Sequence, residues 1–184
     1  SGDDAVLVVG LGPVGMAACM LAKAMGANKV IGVDISPERL TLVKEKGLAD
    51  VTFPSGPDTL AAVRKETGGK GCEKTLDCSG SAPGRLLAIQ ATRNWGKSVM
   101  VGEDGEVTFR PSADFMHEHK TLFGSWVTST WRMEELVERM VRWNIHPDSL
   151  ITTRLPLEQV AEGFALMDEG KCGKVAICFD EELR

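Results

Sequence analysis

The sequence predicts an α/β fold, a doubly wound parallel sheet with helices on both faces. Three observations carry that expectation. Short apolar runs alternate with helical stretches from Ala5 to Val101. The first run, Ala5–Val9 (AVLVV), is apolar throughout rather than alternating, as a strand buried on both faces requires. A glycine-rich hexapeptide, Gly10-Leu11-Gly12-Pro13-Val14-Gly15, joins that run to a helix, and the next run ends in an acid, Asp34.

The elements follow in order. Pro13 suits a first helical turn and Gly26 a helix end, so Pro13–Met25 reads as a helix. Its residues are apolar almost all round, which predicts a helix sandwiched between neighbours. Lys29–Val33 is a second strand. Ser36 caps a helix reaching about Lys46, with Pro37 at its first position and Glu38 in its first turn. A strand near Val51–Phe53, a helix near Asp58–Thr67, a strand Thr75–Cys78, a helix Pro83–Thr92 and a strand Ser98–Val101 continue the alternation. Strands joined by crossover helices pair in parallel with right-handed connections. Beyond Gly102 the pattern loosens: Leu122–Val127 reads as a strand, Met133–Trp143 as an amphipathic helix, Pro156–Met167 as a helix and Lys174–Phe179 as a last strand. The charged end Asp180–Arg184 reads as frayed.

Composition bounds the function. The 184 residues suit one domain or slightly more, and a chain of this size buries roughly 70% of its unfolded surface. With 26 acidic against 21 basic residues the net charge is −5, which lacks the basic footprint of a nucleic-acid or anionic-membrane binder. No apolar run is long enough to span a membrane, and no signal peptide opens the chain. The cysteines, at 19, 72, 78, 172 and 178, form no C-x-x-C pair and sit mostly among apolar residues, which suits core thiols in a reducing cytoplasm. The opening Ser1-Gly2, without Met, reads as a processed or excised product.

The hexapeptide matches G-x-G-x-x-G in the context that gives it meaning: strand before, helix opening within, acid at the end of the second strand. Gly10 permits the tight turn, Gly12 lets backbone approach a pyrophosphate, and Gly15 lets helix and strand pack closely. The pyrophosphate would sit on free amides at the positive helix end. Asp34 would accept hydrogen bonds from an adenosine ribose and repel a 2′-phosphate, which selects NAD(H) over NADP(H). Arg39, one turn into the next helix, could touch the same ribose or soften that selection by pairing with a 2′-phosphate. FAD proteins and some methyltransferases share this turn, so the motif specifies an adenine cofactor before it specifies hydride chemistry.

The stretch from Asp4 to Asp50 resembles the Rossmann-type coenzyme domain of zinc-type medium-chain alcohol and polyol dehydrogenases. The later pieces LDCSG (76–80), VGEDGEV (101–107), KTLFGSW (120–126) and the run 151–179 keep that family's order and spacing, nearest the sorbitol and threonine dehydrogenases. The resemblance implies further roles. Val14 would lie under the adenosine-pyrophosphate path, Pro13 would belong to the cofactor-binding turn, and Cys78, Ser79 and Gly80 would flank adenine or ribose. Val101 and Gly102 would line the nicotinamide site, and the backbone at Ser125 and Val127 would hold the carboxamide. Lys174 falls where the family often places a base on the pyrophosphate, although a solvated lysine is an equal reading. The strand near 122–127 would pair across a two-fold axis in a homodimer.

On this resemblance residues 1–130 form the dinucleotide-binding core. Residues 131–184 complete the domain and return toward an N-terminal catalytic domain that this sequence does not include. The catalytic zinc ligands and the proton relay would belong there, so catalytic residues are expected outside this chain. His117 and His119, flanking Glu118, read as loop or helix surface, and His146 before Pro147 as a turn residue. The expected function is NAD(H) binding within an enzyme that moves hydride from a secondary alcohol to NAD, with this chain silent alone. The alternatives are a stand-alone dinucleotide sensor and a structural oligomerisation module.

Overall fold

The structure, a computed structural model, describes residues 2–180. Six strands, β1 (Ala5–Val9), β2 (Lys29–Asp34), β3 (Val51–Pro54), β4 (Cys72–Asp77), β5 (Thr92–Met100) and β6 (Thr121–Gly124), form one sheet in the order β3-β2-β1-β4-β5-β6. Every neighbouring pair runs parallel. Helices α1 (Pro13–Ala24), α2 (Pro37–Glu45), α3 (Thr59–Glu66) and α4 (Ala82–Ala91) make the crossovers. The strand order reverses between β1 and β4, which opens a crevice at their carboxyl ends.

The pleat of β1 divides the core. Val6 and Val8 point to one face and pack with Met16, Cys19, Val43 and Leu48. Leu7 and Val9 point to the other and pack with Ile31, Val33, Val63 and Ala88. Burying each such aliphatic side chain stabilises the fold by about 1.5–3 kcal/mol, so the uninterrupted apolar run at residues 5–9 is the consequence of two covered faces. Asp50, just ahead of β3, accepts from Lys23 Nζ at 2.6 Å and from the Val30 amide at 2.7 Å. Partial burial pushes its carboxyl up, but those bonds and the Lys23 and Lys29 charges bring it net below the usual range.

Two strands begin earlier than their hydrophobicity suggests. β4 starts at Cys72 rather than Thr75, because Glu73 and Lys74 are held by partners: Glu73 accepts from the Ala5 amide at 2.7 Å and pairs with Arg93, while Lys74 pairs with Asp4. β5 starts at Thr92 rather than Ser98, across a register shift. A buried hydroxyl cluster supports that start, Thr75 Oγ1 lying 2.8 Å from Thr92 Oγ1 and 2.9 Å from Ser98 Oγ. β6 is shorter than the expected 122–127 strand: the Ser125 amide still donates to Met100 O at 2.9 Å, and then Val127, at φ 41°, turns the chain away.

The C-terminal region departs more. Pro156 ends a strand, β7 (Ile151–Pro156), instead of opening a helix, and a short 3₁₀ turn at Leu157–Gln159 precedes α6 (Val160–Asp168). The β-branched run Ile151-Thr152-Thr153 pairs in parallel with β8 (Lys174–Cys178) as a separate two-stranded sheet. Gly163 of α6 lets that helix close on Leu155, Val175 and Ile177. Leu150, just before β7, is 5% exposed and joins the Val6–Val8 side of the main core. The helix α5 (Thr130–Trp143) buries no residue and leaves Trp131, Met133, Val137 and Val141 exposed. Nor is α1 sandwiched. Gly15, Met16 and Cys19 are buried on one side, while Val14 and Met25 remain exposed on the other.

Candidate functional site

The strand β1 delivers Gly10 to the crevice at φ 89°, where a Cβ would lie 2.7 Å from Ser79 N. A Cβ on Gly15 would lie 1.8 Å from Gly10 O. Both glycines are therefore demanded by the fold itself. Gly12 differs. Its φ is −67°, open to any residue, and the nearest atoms to a Cβ there would be those of the Arg39 guanidinium, at an ordinary contact distance of 3.7 Å. The chain does not need glycine at 12 for its own packing, so the bare backbone leaves room for something outside the protein.

The α1 helix starts at this turn with Gly12 as its cap and no acid in its first turn. Its first hydrogen bond runs from Met16 N to Gly12 O at 2.9 Å. The amides ahead of Met16 have no partner one turn back within the helix, and they carry the positive end of its dipole.

Asp34, at the end of β2, is 5% exposed. Its Oδ2 accepts from the Leu11 amide at 2.5 Å and its Oδ1 from the Ser36 amide at 2.8 Å. The carboxylate thus joins the glycine turn to the start of α2, whose cap is the Ser36 hydroxyl accepting from Arg39 N at 3.3 Å. Gly10, Gly12, Asp34, Arg39, Cys78 and Ser79 converge on one cleft of about 220 Å³. Ile35, 85% exposed, adds an apolar wall to it. The Arg39 side chain does more than border the ribose position: its Nε donates to Cys172 O at 3.3 Å, and its guanidinium lies beside Gly12 and Gly170. It thereby ties the segment before β8 to the glycine turn.

Cys78 also opens onto a second, larger space of about 750 Å³ running along the outer side of α1. Pro13, Val14, Val101 and Lys174 line that trough, whose walls are mainly apolar. Burial, then the neighbouring Asp77 charge, pushes the Cys78 thiol up to about 12, so the sulfur between cleft and trough stays protonated. Gly80 and Gly102 form the backbone behind Cys78. A Cβ on Gly80 would lie 2.0 Å from Glu103 O, and one on Gly102 would lie 2.2 Å from Gly80 N. Ser125 and Val127 are not drawn into either space; both are exposed beyond the end of β6. Among the described residues no three His, Cys, Asp or Glu side chains form a group that could hold a metal ion.

Two residues that shape the crevice escaped the sequence reading. Asp77 is fully buried and accepts from the Ser79 hydroxyl at 2.6 Å and the Ser79 and Gly80 amides at 3.1 and 3.2 Å. Arg85, on α4, reaches back to it. The acid at the end of β4 was visible in the sequence, but its partner lies a helical turn into the next element, where nothing local marks it.

Strand order, glycine turn, helix mouth and acid together match the arrangement of dinucleotide-binding α/β domains. Comparison with known proteins narrows the class. Residues 13–142 match the family model for zinc-binding dehydrogenases, and the chain belongs to that family. It is 49% identical over 181 residues to the zinc-type alcohol dehydrogenase-like protein YphC of Escherichia coli K12, covering 98% of this chain and 51% of that protein. It is 35% identical over 179 residues to mouse sorbitol dehydrogenase, covering 95% of this chain and 49% of the enzyme. Among solved structures, alcohol dehydrogenase TADH from Thermus sp. ATN1 superposes with a TM-score of 0.83 at 27% identity, over 95% of this chain and 51% of that one. The chain spans about half the length of the relatives it matches.

Proposed function

We propose that this chain is the NAD(H)-binding domain of a zinc-type alcohol or polyol dehydrogenase. In the complete enzyme it would hold NAD while hydride passes from a secondary alcohol. The observation that carries the reading is Gly12, a glycine that neither backbone strain nor internal crowding requires, placed where α1 opens onto the cleft. The pyrophosphate rests on the amides at that helix mouth. Asp34, already fixed by two backbone donors, presents its free lone pairs to the adenosine ribose, and Arg39 lies over the same turn. Val14 lies under the adenosine-pyrophosphate path, Val101 and Gly102 border the nicotinamide end, and the carboxamide is left to the exposed backbone beyond β6 at Ser125 and Val127. Lys174 faces the trough, on the side from which a second domain would close. When bound, the nicotinamide accepts the hydride; the residues of this chain bind and orient it.

Zinc and the proton relay lie, on this reading, in the part of the enzyme beyond this sequence. The edge strand β6, exposed at all four positions, supports pairing with a second copy, and the thiols of Cys19, Cys72, Cys78 and Cys172 suit a reducing cytoplasm.

The experiment compares NADH fluorescence titrations of the chain and of Gly12→Ala, with thermal melts of both and an assay of alcohol oxidation with added zinc. The chain should bind NADH without turnover. Gly12→Ala should melt unchanged yet bind at least about tenfold more weakly, the equivalent of 1.4 kcal/mol. Unchanged affinity in Gly12→Ala would overturn the assignment, and sustained turnover by the chain would overturn its silence alone.

A further inference from the structure

The turn after β4 and the loop after β5 meet backbone to backbone. Glu103 O faces the position of a Gly80 Cβ, and a Cβ on Gly105 would lie 2.2 Å from Gly80 O. Contact this close needs glycine on both sides, but glycine holds nothing in place. Backbone bonds hold the start of the loop, and one side chain adds the hold farther along it. Arg85 donates through one terminal nitrogen to Gly102 O at 2.8 Å and through the other to Gly105 O at 2.5 Å. Its Nε lies 3.6 Å from Asp77 Oδ2, and the side chain is only 13% exposed. Asp77 in turn binds the Ser79 and Gly80 amides, while its own carbonyl accepts from Val101 N and Gly102 N, each at 2.9 Å.

We propose that Arg85 is a positioning residue for the nicotinamide half of the site: it locks the 102–105 loop against the 78–80 turn and so fixes the wall at Val101 and Gly102. The proposal rests on the dinucleotide reading above and adds a division within it. Asp34 and the glycine turn serve the adenosine and pyrophosphate, whereas Arg85 acts on the other end without touching the cofactor, since the 78–80 turn keeps its own bonds to Asp77 when the loop is released. A planar guanidinium suits this task because it spans two carbonyls and a carboxylate at once. A lysine offers one compact ammonium in place of the planar fork, so it does not reproduce the two separate terminal nitrogens that Arg85 sets on Gly102 and Gly105.

The test uses Arg85→Lys and Arg85→Met, with three readouts on the same chain. Thermal melts show whether each variant folds. Titrations with NADH and with ADP-ribose separate the two halves of the ligand. Amide hydrogen exchange follows residues 102–106 without any ligand. Loss of charge-assisted hydrogen bonds should weaken NADH by about tenfold or more, leave ADP-ribose within about twofold, and speed exchange in 102–106. Arg85→Lys should rescue the melt better than it rescues NADH affinity. Equal losses for NADH and ADP-ribose, or exchange in 102–106 no faster than in the unaltered chain, would overturn the proposal. If the unaltered chain bound neither ligand, the dinucleotide reading would fall instead, and the exchange data would still decide whether Arg85 clamps the loop.

Discussion

Replacing Asp34 with Gly changes two properties whose sizes follow from its geometry. The first is stability. The carboxylate takes the Leu11 and Ser36 amides at 2.5 and 2.8 Å while 5% exposed. Each buried donor left unpaired costs about 1–3 kcal/mol, and water entering the opened cleft recovers part of that. A net loss of about 2–4 kcal/mol lowers the melting temperature of a domain this size by about 4–16 °C without unfolding it at room temperature. The second is selectivity. NADH loses a hydrogen bond to a charged acceptor, about 1.5–3 kcal/mol. NADPH loses a like charge near its 2′-phosphate, about 4 kcal/mol for unit charges 4 Å apart near a protein surface. The ratio of the NADPH to the NADH dissociation constant should therefore fall by at least about a hundredfold. Parallel fluorescence titrations with the two reduced cofactors measure it. Taking the ratio removes any loss of active protein, since both ligands meet the same folded fraction. A ratio within about threefold of the unaltered chain, with both ligands still binding, would refute Asp34 as the ribose acceptor.

Gly15→Ala contrasts with Gly12→Ala, because its Cβ would lie 1.8 Å from Gly10 O and force the turn apart. It should lower both the melting temperature and NADH affinity, and a melt as high as that of the unaltered chain would show that the turn yields freely. Alkaline pH should also destabilise the fold. Burial first, and neighbouring groups second, push the Cys19, Cys72 and Cys78 thiols from 9.0 up to about 12. The folded state holds those protons while the unfolded chain releases them, so this stability is complete below pH 9 and is lost as pH rises toward 12. The slope is up to about 1.4 kcal/mol per pH unit for each thiol. Urea melts at pH 8 and pH 10 check it, and Cys72→Ala should flatten the fall; equal stability at the two pH values would contradict the burial argument.

The first half of the main sheet was legible because β1 and β2 are apolar on both faces and the turns carry glycine, proline and serine at positions with local mechanical reasons. Legibility failed where tertiary partners replaced pattern. Glu73 and Lys74 look like loop residues until Ala5, Arg93 and Asp4 are placed beside them. In the C-terminal region, Thr153, a polar residue on the inward face, hides the alternation of β7, and Pro156 resembles a helix start although it closes that strand. The cleft residues from Gly10 to Asp34 were readable because the motif is continuous in sequence. The Arg39 contacts to Gly170 and Cys172 were not, because they join segments 133 residues apart.

Asp34 and Asp77 show how little of a site's division of labour a motif can state. Each is an acid ending a parallel strand at the crevice, and each binds two backbone amides of the turns there. By sequence they are the same device. The structure separates them by what remains once those amides are satisfied. Asp34 opens onto the cleft, so its remaining lone pairs and charge face a ligand. Asp77 is fully buried, and the charge nearest its Oδ2 is Arg85, which spends its other nitrogens on the Gly102 and Gly105 carbonyls. An acid facing a cleft selects what enters. An acid paired with a half-buried guanidinium builds the wall that the entrant meets. Changing Asp34 should therefore alter which dinucleotide binds, whereas changing Arg85 should alter how well the nicotinamide half is held, and the two effects should add because the residues share no partner.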